Sequence, residues 1–246
     1  MVFEIERDLA SALYSARVSG DAALARSCEL TAVRDSTGAW SLDVKAETEA
    51  AAFAELHRMV NDPEVPLERA RQIRLYLAWK GHVESQFTEG ENFRTGRNIV
   101  QDFALARYWL GKAAERGHYC AQNNLGVLYA EGLGGKKDLE KAVYWYIKSA
   151  DGGDGVAMGN LGMHLIKGSG VRRNYRQAAK LLKEGLKANP YSARTHEMLA
   201  ACYEHGVAGR NGLRLAIHHY QEASDFGSLK ARAALCRLAG RVARKA

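Results

Sequence analysis

One spacing, 36 residues, recurs through the second two-thirds of this 246-residue chain. Gly90, Gly126 and Gly162 advance by that step, as do Gly96, Gly132 and Gly168, and Asp102, Asp138 and Asn174. Trp109 and Trp145, Ala106 and Ala142, Ala121 and Ala157, Leu125 and Leu161, and Gly117 and Gly153 are pairs at the same interval. Past Asn189 the register slips by two, taking Leu161 to Leu199 and Ala178 to Ala216. It then returns to 36 between Leu199 and Leu235. The slip falls at Asn189-Pro190-Tyr191, where lengthening a loop adds little closure entropy. Such a period marks a stacked-repeat architecture, in which no unit buries its own apolar face alone.

The units predicted are 85–120, 121–156, 157–194 and 195–230, with a C-terminal capping helix over 231–246. Each reads as two helices. In the second unit Ala121, Leu125, Leu128 and Tyr129 share one face of a helix that ends near Glu131. Gly132-Leu-Gly-Gly135 then forms the turn, since Gly reaches left-handed backbone angles at no steric cost. Asp138 is the N-cap of a helix over 139–151, which Gly152-Gly153 ends, and Asn174 with Gln177 suggests the same cap one unit on. Gly126 and Gly162 fall inside first helices, where Gly costs about 1 kcal/mol against Ala. Close approach of the neighbouring helix, with Trp109 or Trp145 laid near the glycine, is the expected compensation.

Residues 1–84 lack the period. They predict helices over 4–18, 21–33, 45–60 and 67–80, with a turn at 35–38, and a cap for the array, whose end would otherwise expose core. Charge divides at the same place. Residues 1–84 hold 10 Lys and Arg against 14 Asp and Glu, a net of −4, and residues 85–246 hold 25 against 14, a net of +11. The sum is the +7 of the whole chain.

Several function classes find no support. No run of apolar residues is long enough to span a bilayer. The acidic start lacks the basic n-region of a signal peptide, which predicts a cytoplasmic protein. Cys28, Cys120, Cys202 and Cys236 are too far apart for a redox pair or a zinc knuckle and read as structural thiols. Gly132-Leu-Gly-Gly-Lys136 lacks the rest of a phosphate-binding loop, and its glycines recur as turns in the other units. Asp151-Gly-Gly-Asp154 lacks the further ligands of a calcium loop. His218 and His219 are adjacent and so point about 100° apart on a helix, which is wrong for a metal pair. His219 is expected to pack. No catalytic residue, metal or cofactor is assigned.

Positive charge is densest over 167–194, where eight Lys and Arg meet one acid, Glu184. Arg176, Lys180, Lys183 and Lys187 fall on one stripe of a helix, with Tyr175, Ala178, Leu182 and Leu186 toward the core. A solvated face is the plain reading, and a protein partner with an acidic surface is the functional one. Nucleic acid is disfavoured, since only Tyr175 and Tyr191 are placed to stack on bases.

The combined motif resembles the Sel1-like repeat family, relatives of the tetratricopeptide repeats. The second unit carries the family pattern as Ala121, Leu125, Gly126, Tyr129, Gly132, Gly134, Asp138, Lys141, Ala142, Trp145, Ala150 and Gly153. Departures are Glu89 for the Leu of the first unit, Leu181 for the Trp of the third, and Ala200 and His219 for the Gly and Trp of the fourth. Glu89 suggests a first helix that is partly exposed or paired with the N-terminal region.

The resemblance implies an all-α fold, a right-handed α–α superhelix whose first helices line a concave wall. The wall positions are Phe87, Glu91 and Thr95, then Asn123, Val127 and Glu131, then Gly159, Met163 and Lys167, then Glu197, Ala201 and His205. It further implies a non-catalytic scaffold that binds a partner protein, such as a bacterial cytosolic adaptor or an immunity protein neutralising a toxin. The alternatives are a nucleic-acid-binding regulator or a hydrolase on the repeat scaffold. Relatives linked to β-lactam hydrolysis carry paired cysteines in each repeat, a pairing this chain lacks. A small-molecule substrate is therefore not expected.

Overall fold

A computed structural model of the chain describes residues 31–34, 40–43 and 71–243, other than 72, 73, 76 and 98. Contacts divide the chain into two compact units, Met1–Gln86 and Phe87–Ala246.

In the first unit an antiparallel ribbon joins β1 (Thr31–Arg34) to β2 (Trp40–Asp43), with Thr31 opposite Asp43 and Arg34 opposite Trp40. This corrects the helix expected over 21–33, whose last residues are strand. The β-branched Thr31 and Val33 and the aromatic Trp40 favour an extended, pleated backbone. The helices expected over 4–18 and 45–60 lie outside the described residues. Within the segment expected to be helical over 67–80, Leu77 and Ala78 are helical and buried. The Gln86 amide donates to the Ala78 carbonyl at 2.9 Å.

The repeat region is all-helical among the described residues. Its helices are α1 (Val83–Thr95), α2 (Phe103–Glu115), α3 (Tyr119–Glu131), α4 (Leu139–Asp151), α5 (Gly155–Lys167), α6 (Tyr175–Ala188), α7 (Ala193–Glu204), α8 (Gly212–Asp225) and α9 (Leu229–Ala243). Helices adjacent in sequence pack together from α2 onward, as in a solenoid of helix pairs. Within a pair the helices are antiparallel. The Ser149 hydroxyl near the end of α4 donates to the Tyr119 carbonyl at the start of α3, while Gly126 midway along α3 faces Tyr146 midway along α4. Leu110, Leu128, Leu165, Leu182, Leu199 and Leu238 are completely or almost completely buried. Glu89 is buried too, so α1 is not exposed at that point.

Local signals set the helix ends. The Asp138 carboxylate accepts the Lys141 N–H and the Asn174 side chain accepts the Gln177 N–H, each at 3.0 Å, satisfying donors that the first turn leaves unpaired. Gly132 and Gly168 close α3 and α5 in the left-handed conformation.

The glycines inside the first helices let the second helix approach closely, as expected, but the residue laid against them is not the Trp. A Cβ on Gly126 would lie 2.7 Å from the Tyr146 ring, one on Gly90 2.6 Å from Leu110, and one on Gly162 2.8 Å from Leu182. Each contact is the residue after the Trp position, not the Trp itself. Neighbouring positions on a helix point about 100° apart, so only one of the two can face the glycine. Trp109 and Trp145 instead pack edge-on against Tyr108 and Tyr144, with ring centroids 5.0 Å apart in both cases.

The inter-helix turns dock onto the preceding unit. Gly134 has φ +69°, and a Cβ there would run into the Phe103 carbonyl at the start of α2. Gly170 has φ +73° and meets the Leu139 carbonyl at the start of α4 in the same way. The fourth unit does this differently. Ala208 stands at the equivalent place with φ −108°, followed by a short 3-10 turn at Gly209–Asn211.

Candidate functional site

The first helices present a continuous polar seam. Arg94 grips the Glu91 carboxylate through Nε and Nη2, both at 2.7 Å, and this raises the guanidinium pKa further above its ordinary value. The Asn124 amide of α3 donates to the same carboxylate at 2.8 Å. Asn123 donates to Asn124 and accepts the Asn160 amide of α5 at 3.0 Å. Arg194 of α7 reaches the Met163 sulfur of α5 at 3.1 Å, and the Ser228 hydroxyl before α9 donates to Glu197 of α7. Side chains at the expected wall positions thus join α1 to α3, α3 to α5, α5 to α7 and α7 to the turn that opens α9.

The four repeat units are matched by the Sel1 repeat pattern over residues 90–118, 121–154, 155–190 and 194–227. The chain belongs to the Sel1 repeat family. Sel1 repeats generally mediate protein binding and are usually non-catalytic. A Sel1 repeat protein from Oxalobacter formigenes is similar at 27% identity and TM-score 0.61, over 74% of this chain and 76% of that one. The protective antigen c5321 of uropathogenic Escherichia coli is similar at 27% identity and TM-score 0.65, over 77% of this chain. This chain's match spans only 41% of that antigen's length. No curated protein matches the chain. No helix among the described residues is long and apolar enough to cross a membrane.

Across the Sel1 repeats the wall positions divide by use. Glu91, Asn123, Met163 and Glu197 are engaged between neighbouring repeats. Phe87 stacks on the His118 ring with centroids 4.3 Å apart, and Val127 is half-buried against the core. Glu131, Lys167 and His205 are exposed, although the His205 ring also meets Tyr175 edge-on at 4.2 Å.

The basic stripe lies on α6, and Arg176, Lys180, Lys183 and Lys187 are all exposed. Lys187 pairs with Glu184 at 2.8 Å, and the Lys183 ammonium stands 5.6 Å from the centre of the Tyr203 ring. Among the described residues Arg176 and Lys180 form no ion pair.

Tertiary packing adds a pair that the sequence spacing hides. His219 packs, as expected, but against His196, which lies 23 positions earlier; their Nδ1 atoms are 3.0 Å apart. His196 Nε2 is 2.9 Å from the Pro190 carbonyl, which only accepts, so Nε2 carries a proton there. In a neutral pair His196 Nδ1 then accepts from His219 Nδ1–H. Burial chiefly, with the fields of His196, His218 and Lys183, pushes the His219 pKa down to about 4. The signal for this pair is the His at a Trp position, which by itself names no partner.

Among the described residues no three His, Cys, Asp or Glu side chains gather as a metal site. Cys202 is buried, which pushes its thiol up to about 11, Cys120 is half-buried and Cys236 is exposed. Cys202 and Cys236 are free thiols. Cys28 lies outside the described residues.

Proposed function

We propose that this protein is a non-catalytic scaffold that binds a partner protein through an acidic surface of that partner. The observation that carries the reading is the exposed charge of repeat three. Four cations line one helix face against a single acid, Glu184. A field of one sign attracts a partner of the other and speeds encounter. The polar seam between first helices supports the same reading, because a wall held by its own hydrogen bonds loses little freedom on binding. An adaptor or immunity role is one use of such a scaffold, since both act by occupying a surface on another protein.

The test is isolation of the native complex at moderate salt, with and without nuclease. The expected result is a stoichiometric protein partner that survives nuclease and elutes as salt rises. Recovery of nucleic acid in place of protein would overturn the reading.

A further inference from the structure

The basic stripe ends beside an exposed aromatic pair. Tyr191 follows the α6 C-cap by two residues and is 74% exposed, and Phe226 is 37% exposed. Their rings meet edge-on with centroids 5.6 Å apart. The pair is held from beneath, since the Phe226 ring also lies 5.8 Å from His196, which hydrogen-bonds the Pro190 carbonyl just before Tyr191. A surface aromatic pair fixed in this way keeps its apolar area in water and loses little side-chain freedom if a partner covers it.

We infer that α6 and this aromatic pair form one docking track for an acidic polypeptide segment that carries an apolar side chain at one end. This inference rests on the scaffold reading and names the surface and the partner chemistry within it. The spacing fits. Successive cations of the stripe stand about 5–6 Å apart, near the pitch of a helical turn or of alternate residues in an extended chain. The whole of α6, 14 residues, runs about 20 Å. The chemistry favours a carboxylate partner over nucleic acid. No aromatic stands between Arg176 and Lys187, where a single strand would need stacking platforms along its length. In the chain, the strongly exposed Tyr191 follows the C-terminal end of the stripe, whereas Tyr175 at its other end is only part-exposed.

The test is fluorescence anisotropy with the full chain and three labelled probes. One is a peptide of four Glu-Ala pairs followed by Gly-Phe-Leu, the second replaces Phe-Leu with Ser-Ser, and the third is an oligo-dT of about 15 nucleotides, long enough to cover the stripe. The first peptide should bind at least about fivefold more tightly than the second, and more tightly than oligo-dT. Arg176→Glu/Lys180→Glu should weaken both peptides about tenfold or more. Lys183 is left in place because it lies over Tyr203. Tyr191→Ala/Phe226→Ala should reduce the first peptide to the affinity of the second and leave the second unchanged, a double-mutant signature of the anchor. Equal binding of the two peptides by the native chain, tighter binding of oligo-dT, or no peptide binding overturns the track. The native complex separates the two failures. A protein partner that still binds Arg176→Glu/Lys180→Glu sinks the track and leaves the scaffold standing, whereas nucleic acid in place of protein sinks both.

Discussion

Repeats two and four have the same helix pair and reach it by different chemistry. In repeat two, Gly126 lets the Tyr146 ring lie against the α3 backbone, Trp145 packs on Tyr144, and Gly134 seats the turn on α2. In repeat four the matching residues are Ala200, Tyr220, His219 and Ala208. Tyr220 is buried like Tyr146, but its hydroxyl donates to Glu204 at 2.8 Å, and Arg237 of α9 grips Glu204 through two bonds of 3.0 and 2.7 Å. His219 stacks on Tyr203 and adds a polar contact to His196, where Trp145 packs edge-on against Tyr144. The helix pair therefore tolerates exchange of its glycines and Trp when the turn conformation and polar partners change with them.

The two repeats should part most widely at the turn. Gly170 of repeat three carries the same docked turn as Gly134. Gly170→Ala puts a Cβ on the Leu139 carbonyl and strains a positive φ, so a loss of roughly 3 kcal/mol is expected by urea unfolding. Ala208→Gly, at a φ that any residue adopts, should change stability by less than about 1 kcal/mol. Equal effects would mean that the two turns are interchangeable.

The next effect sits on the helices. Gly126→Ala gains about 1 kcal/mol of helix propensity. It also drives a Cβ to 2.7 Å from the Tyr146 ring and 3.2 Å from the Ala142 carbonyl. Overpacking of this kind costs about 1–3 kcal/mol, so a net loss of up to about 2 kcal/mol is expected. Ala200→Gly, which only removes propensity, should lose about 1 kcal/mol. A stabilised Gly126→Ala protein would show that the Tyr146 ring moves aside easily.

Glu204→Gln tests the polar substitute used by repeat four. It weakens the contacts to Tyr220 and Arg237, and about 1.5 kcal/mol should be lost in thermal or urea unfolding, since bonds to charged groups are stronger than neutral ones. Arg237→Ala should reproduce most of the loss if the charge is what counts.

The smallest effect is a pH dependence confined to repeat four. The folded pKa of His219 lies below the ordinary value of 6.5, at about 4, so the unfolded chain binds the proton more tightly. The stability gained from burying the neutral ring is complete above about 6.5 and is lost as pH falls from there through about 4. With the ring only part-buried, the loss is on the order of 1 kcal/mol. Urea midpoints at about pH 7.5 and about pH 4.5, either side of most of that window, measure it, and His219→Phe should flatten the change. An unchanged slope would assign the dependence to another group.

Much of this architecture is legible in the residues alone. The recurrence of Gly126, Gly132, Asp138, Trp145 and Gly153 one period apart points to the family and to the stacked helix pairs, because caps and turns are set by local backbone needs. One local reading fails, and a second holds only in part. Thr31–Val33, the end of a segment that reads as helix, pair instead with Trp40–Asp43, a contact that helical periodicity does not detect. The interior glycines pack against the neighbour of the Trp position, because periodicity fixes the interval and not which side of the second helix faces inward.

Spacing along the chain is enough to set the number and length of the repeats and to put a stripe of positive charge on the third. Which wall residues are engaged between repeats, that His196 meets His219, and that Tyr191 and Phe226 stand together at the end of the stripe are matters of packing in three dimensions. These contacts join residues from 23 to 37 positions apart and depend on how one repeat is turned against the next. That rotation comes from the summed packing of whole helix faces, which no single motif encodes.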